Sequence, residues 1–104
     1  MLIVIVEFVL RPGMQSKFEE GLAAMRARVK DFDGFLGEEP CQSVTDAEKQ
    51  VVLFYWRDEE SMATWRSDPE HIRMQQRGRD EFFSWYQIRV TRVERERDWR
   101  LGSS

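Results

Sequence analysis

The order of hydrophobic periods along the chain predicts an α+β domain of the ferredoxin-like type, β-α-β-β-α-β, built on a four-stranded antiparallel sheet. Three observations carry this expectation. Apolar runs of strand length alternate with one long and one broken stretch of helical period. Pro and Gly punctuate most of the junctions. The 104 residues suffice for one compact domain, which we bound at residues 1–96, leaving a charged tail at 97–104.

Leu2–Leu10 is rich in Ile and Val and has strand length; Arg11-Pro12-Gly13 ends it, because Pro lacks a ladder N–H and Gly permits a tight turn. From Met14 the period changes. Met14, Phe18, Leu22, Met25, Val29 and Phe32 fall three or four apart, an amphipathic helix closed by Asp33-Gly34. Phe35–Val44 is a weaker strand with Gly37 and Pro40 inside it, the mark of an edge or a bulge. After a turn at 45–49, Gln50–Arg57 is a strand of β-branched and aromatic residues. Asp58 is placed to cap a helix carrying Met62 and Trp65. Ser67 or Asp68 restarts the chain as a second helical piece over Pro69–Arg77, with Glu70 placed for a capping box. Phe82–Glu96 is the last strand. Its alternation slips between Val90 and Val93, which predicts a β-bulge near Thr91–Arg92.

The first and third strands are apolar on both sides, and two helices cover only one face of a four-stranded sheet. A second copy of the chain, packed sheet against sheet, is the economical cover for the other face, and Trp99 in the charged tail would suit an anchor onto it. The expected assembly is therefore a homodimer.

Composition sets the exclusions. With net charge −3 and acids interleaved among the C-terminal arginines, no nucleic-acid partner is expected. No apolar run approaches the roughly 20 residues of a membrane span, and Met1–Leu10 lacks the basic flank of a signal peptide. One cysteine, Cys41, forms no internal disulfide, so the expected compartment is the cytoplasm. With one histidine and one cysteine, no multi-ligand metal site is expected.

Tyr55-Trp56-Arg57-Asp58-Glu59-Glu60-Ser61, then Trp65, then Asp68-Pro69-Glu70-His71, preceded by Leu10–Gly13 (LRPG) and Gly34–Gly37 (GFLG), resembles the antibiotic biosynthesis monooxygenase (ABM) domain family. The likeness runs from the first strand to the last and includes Gly78-Arg79 and Trp85-Tyr86. It implies a dimeric α+β barrel with a pocket between helices and sheet in each subunit. Some members oxygenate phenols or quinols without metal or flavin; others bind and degrade haem. Trp65 matches the pocket tryptophan of both branches. The oxygenase branch has Asn four residues before it and Tyr six after, where this chain has Ser61 and His71. The haem branch has a first-strand Asn and an axial His ten residues after the Trp, where this chain has Val6 and Gln75. The expected cofactor is accordingly none, with haem the alternative despite Gln75 at its axial position.

His71 is the one side chain whose ordinary pKa lies near neutrality, and a helix N-terminus keeps it neutral. It reads either as the general base that takes a phenolic proton or as a packed or capping residue of the first turn. Trp65, Ser61, Gln75, Arg79 and Tyr86 are the candidate substrate-binding residues: stacking from Trp65, an oxyanion contact from Gln75 or Arg79, a hydroxyl or apolar fill from Tyr86. Trp56 and the helical methionines read as core. Glu7, interrupting an apolar strand, is either exposed or a buried acid with a raised pKa. Three functions follow: a monooxygenase of an electron-rich aromatic, a non-catalytic small-molecule-binding or stress-related dimer of the same fold, and an RNA-binding module, which the acidic charge disfavours.

Overall fold

The structure, a computed structural model, describes residues 1–102. The elements are β1 (Leu2–Leu10), α1 (Gln15–Val29), β2 (Phe35–Gln42), β3 (Lys49–Trp56), α2 (Glu59–Arg66), α3 (Pro69–Arg77), a π-helical turn (Gly78–Phe82) and β4 (Phe83–Arg92). The four strands form one antiparallel sheet in the order β2-β3-β1-β4. This is the predicted β-α-β-β-α-β order, with the second helix in two pieces.

The period of two decides which face meets the helices. Leu2, Val4, Val6 and Phe8 of β1 share a side with Val52, Phe54 and Trp56 of β3, and α1 and α2 cover them. Two apolar clusters result. Leu2, Val29, Trp56, Met62 and Trp65 form one; Phe8, Phe18, Val52 and Phe82 form the other. Trp56 is core, as expected. The outer face carries Ile3, Ile5, Val9, Val51, Leu53 and Tyr55, none fully buried, and no element of the described chain lies over it. Glu7 sits in that face. It is neither free nor raised in pKa: Lys49 (3.0 Å) and Arg89 (2.6 Å) pair with it and hold its carboxyl below the usual range.

The last strand differs from expectation in two ways. Pairing between β1 and β4 continues regularly through Leu2 and Arg92, so there is no bulge at Thr91–Arg92. The irregularity lies at the other end, where Val9 pairs Trp85 and Leu10 pairs Phe83, leaving Ser84 as the extra residue. That insertion puts Phe83 and Tyr86 on the same side, their rings 5.6 Å apart. β4 also stops at Arg92 rather than Glu96; beyond it only the Val93 amide continues, donating to the Met1 carbonyl. In the tail, Trp99 is 72% exposed, and residues 103–104 lie outside the described residues.

β2 is an edge strand with a bulge of its own. Phe35 pairs Trp56 and Gly37 pairs Tyr55, so Leu36 is extra; Gly37 has φ of +139°, open to glycine and strained for other residues. Without the insertion Glu39 would face the helices. With it, Glu38 does.

Candidate active site

A cavity of about 160 Å³ lies between helices and sheet. Its floor is Val6, Phe8, Val52 and Phe54; α1 contributes Leu22, Met25 and Arg26; α3 contributes His71, Met74 and Gln75. Trp65 closes one end, and Arg79, Phe83, Tyr86 and Ile88 line the β4 side. Of the six residues singled out from the sequence, five meet here: His71, Trp65, Gln75, Arg79 and Tyr86.

Ser61 does not. It is buried at the start of α2, where its amide donates to Asp58 (2.9 Å) and its hydroxyl accepts from Arg57 (3.1 Å). Arg57 also makes a two-pronged pair with Asp33 and a contact with Asp58. The Tyr55–Ser61 string is thus a clasp between the end of β3, the turn after α1 and the cap of α2. The Ser61 amide, its hydroxyl and Arg57, in that order, hold the Asp58 carboxyl at about 2.

His71 is built from the same kind of joint. Asp68 caps α3 by accepting from the His71 amide (3.1 Å), and its two oxygens take a fork of bonds from Arg28 on α1 (2.8 and 2.7 Å). That cap leaves no capping box: Glu70 pairs Arg73 on the surface instead. The imidazole stacks on Trp65, ring centroids 4.5 Å apart and planes 24° apart. Burial pushes its pKa below 6.5, opposed by the Trp65 backbone and the Asp68 charge. The ring is therefore neutral at pH 7, and its Nδ1 is buried without a hydrogen-bond partner. Trp65 is held from behind by Phe32, edge to face at 4.8 Å.

Three features of the site have no reading in the sequence analysis above. Arg11, the charged residue of the LRPG string, donates to the carbonyls of Phe83 (3.0 Å), Asp80 (2.8 Å) and Arg79 (2.6 Å), bracing the π-helical turn that carries Arg79. The Ser84 insertion delivers Phe83. Glu38 reaches the cavity through the β2 bulge and pairs with Arg26. The signal for Glu38 was the glycine inside the second strand; what that glycine does follows only from the register.

A space of this size accepts about one aromatic ring. Gln75 offers an amide where the haem branch has its axial imidazole. Among the described residues no group of three or more His, Cys, Asp or Glu could hold a metal ion. No helix of the described chain is long and apolar enough to cross a membrane.

Two relatives and one solved structure give the comparison. A jasmonate monooxygenase of Pyricularia oryzae is 29% identical over 93 residues, covering 89% of this chain; the chain spans only 43% of that protein's length. The uncharacterized protein YqjZ of Bacillus subtilis is 31% identical over 81 residues, covering 77% of this chain and 68% of its own. The crystal structure of a variant of SnoaB, a cofactor-independent oxygenase from Streptomyces nogalater, shares the fold: TM-score 0.77 at 14% identity, over 91% of this chain and 94% of SnoaB. The sequence profile of the antibiotic biosynthesis monooxygenase family matches residues 1–77. With three-quarters of its length under that profile and the fold to match, the chain belongs to the antibiotic biosynthesis monooxygenase family.

Proposed function

We propose that the chain is a monooxygenase that oxygenates an electron-rich phenol or quinol about one ring in size, without metal or flavin. The observation that carries the reading is the His71 imidazole, stacked on Trp65 in the wall of an aromatic cavity and kept neutral by burial. The imidazole takes the phenolic proton. The resulting oxyanion gives electrons to O₂, one oxygen atom bonds to ring carbon, and the other leaves as water with the proton His71 returns and the proton lost from that ring carbon. A phenol then becomes a quinone, with all four electrons for O₂ drawn from the substrate.

The energetics narrow the substrate. An ordinary phenol ionises near 10 and an ordinary histidine near 6.5, so the proton transfer is uphill by about 5 kcal/mol. The lowered His71 value widens that gap. Arg26 and Arg79 at the cavity wall offset part of it by attracting the oxyanion, and an acidified phenol or quinol reduces the rest.

Oxygen uptake with a naphthol and quinol panel tests this. His71→Ala and Trp65→Phe should each lower the rate at least tenfold. The wild-type rate should be flat at neutral pH and fall only at a pH below the ordinary histidine value, as the burial-lowered imidazole protonates. Unchanged rates in both variants would remove the site. A non-catalytic binding protein of the same fold is the second reading, favoured by a lining whose one side-chain amide is Gln75 and which has no Asn. Retention of a small molecule with no oxygen uptake across the panel would establish it. We further propose that two copies pair through the outer sheet face, and that the protein works in the cytoplasm, where an exposed, free Cys41 stays reduced.

A further inference from the structure

Phe83 lines the cavity from a position between two backbone irregularities. Before it, Gly78–Phe82 winds as a π-helical turn, closed by the Phe83 amide donating to the Gly78 carbonyl. After it, Ser84 is the extra residue of β4. A regular ladder would set Ser84 opposite Leu10 and turn a small hydroxyl toward the helices; the insertion sets Phe83 there instead. The Ser84 hydroxyl is left to donate to the Val9 carbonyl (3.2 Å). Arg11 holds the Phe83 carbonyl (3.0 Å), so both polar groups of this residue's backbone are tied. The ring itself rests on buried Gly78, where a Cβ would lie 2.6 and 2.9 Å from Phe83 Cε2 and Cδ2. Only glycine permits that approach. Phe8 and Phe18 flank the ring, at 5.1 and 5.7 Å between centroids, and both belong to the second apolar cluster. Trp65, on which His71 stacks, belongs to the first. The cavity spans both clusters, and Phe83 bounds it at the one away from His71.

We propose that Phe83 is the specificity-determining residue that sets the length of the cavity, and that Gly78 is the positioning residue that lets its ring stand back from the ligand. This rests on the cavity being the substrate site and adds which residue limits the size of the ring system admitted. A close-packed wall does not yield to a ring it has no room for, so a pocket selects size through the atoms that fill the rest of it. With a serine in that place, as a regular strand would have it, the cavity would be longer by a phenyl group. The β4 insertion and the π-helical turn thus converge on the placing of one ring. Shortening that side chain opens the cavity at the end remote from His71. A methyl group on Gly78 does the opposite, because it drives the ring away from the turn and into the free space.

Calorimetry under nitrogen, with phenol and 1-naphthol as probes, reads ring size apart from turnover. Phe83→Ala should raise the affinity for 1-naphthol relative to phenol at least fivefold over the wild-type ratio, and continued binding of phenol shows that the variant is folded. Phe83→Leu should shift the ratio the same way by at least twofold, and it carries the test should the alanine variant fail to fold. Gly78→Ala should lower the ratio at least fivefold. Adding Phe83→Ala, which removes every atom the new methyl meets, should return it to within twofold of Phe83→Ala alone. Smaller shifts in the Phe83 variants overturn the proposal and leave another residue to set the size. A Gly78→Ala effect that persists undiminished without the Phe83 ring overturns the role of Gly78. The expected shifts without oxygen uptake leave this inference standing and remove the oxygenase reading. Oxygen uptake that His71→Ala abolishes, with a ratio indifferent to Phe83, does the reverse. No binding of either probe by the wild type at millimolar concentration overturns both.

Discussion

Replacing Gly34 by Ala probes how the wall carrying Trp65 is anchored. Gly34 has φ of +85°, and a Cβ there would lie 2.1 Å from Ser61 Oγ and 2.4 Å from Ser61 Cβ. Two costs add. A left-handed backbone costs a residue with a side chain about 1–2 kcal/mol, and forcing a methyl group into a filled space costs about 1–3 kcal/mol. The sum, about 2–5 kcal/mol, is a large part of the roughly 5–15 kcal/mol that holds a domain folded. At a urea slope of about 1–3 kcal/mol per M, the midpoint falls by roughly 0.7–5 M. Ser61→Gly removes both atoms in the way and keeps the amide that donates to Asp58. Alone it costs about 1 kcal/mol for a helical glycine. The double variant should be more stable than the sum of the singles by about 1–3 kcal/mol, the size of the steric part. A Gly34→Ala cost below about 0.5 kcal/mol, or strict additivity in urea melts, would refute the contact.

Three further outcomes follow from other joints. Arg11→Ala should cost about 1–2 kcal/mol, a surface-discounted value for charged hydrogen bonds, and should speed hydrogen exchange across Gly78–Phe83; unchanged exchange there would show that the turn holds itself. The Asp68 carboxyl is held at about 2 by the Arg28 fork, against 3.8 when free. Because the folded value is the lower one, its contribution is complete above about pH 4 and is lost as pH falls toward 2. Circular dichroism should show an acid transition in that window, which Asp68→Asn makes smaller without abolishing it, because the Asp58 carboxyl, also held at about 2, titrates there too. Ile5→Lys, in the centre of the outer face, should convert the proposed dimer to monomer in sedimentation while leaving the monomer folded; an unchanged sedimentation coefficient in a dimeric wild type would place the interface elsewhere.

Most of the element order was legible because period and punctuation are local properties. The spacing from Phe18 to Val29 specifies a helix wherever it is packed, and Asp58 and Asp68 announce their helices by position alone. Register is not local. Leu36 and Ser84 are insertions defined only by the strand opposite, so the sequence slip at Val90–Val93 pointed to the wrong end of β4. The site divides along the same line. His71 stood out as the lone histidine, and Trp65 and Gln75 through the family resemblance; His71 and Gln75 lie one turn apart on α3, while Trp65 comes from α2. Ser61 shares the start of α2 with Trp65 four residues later, yet the Gly34 contact and the Arg57 bond hold it in the clasp. Arg11 and Glu38 act across 68 or more residues of chain and across the sheet edge, respectively, where spacing carries no information.

The helices cover β1 and β3 more completely than β4. Tyr86 and Ile88 line the cavity yet remain 38% and 46% exposed, while Phe8 and Phe82 are almost wholly enclosed. Substitutions at exposed positions of this kind usually change stability by less than about 0.5 kcal/mol, whereas emptying an enclosed phenylalanine costs about 3–5 kcal/mol. What the molecule admits is thus written partly on residues that its folding does not depend on. A lineage can exchange the β4 side chains to suit a new ring while its core sequence stays fixed.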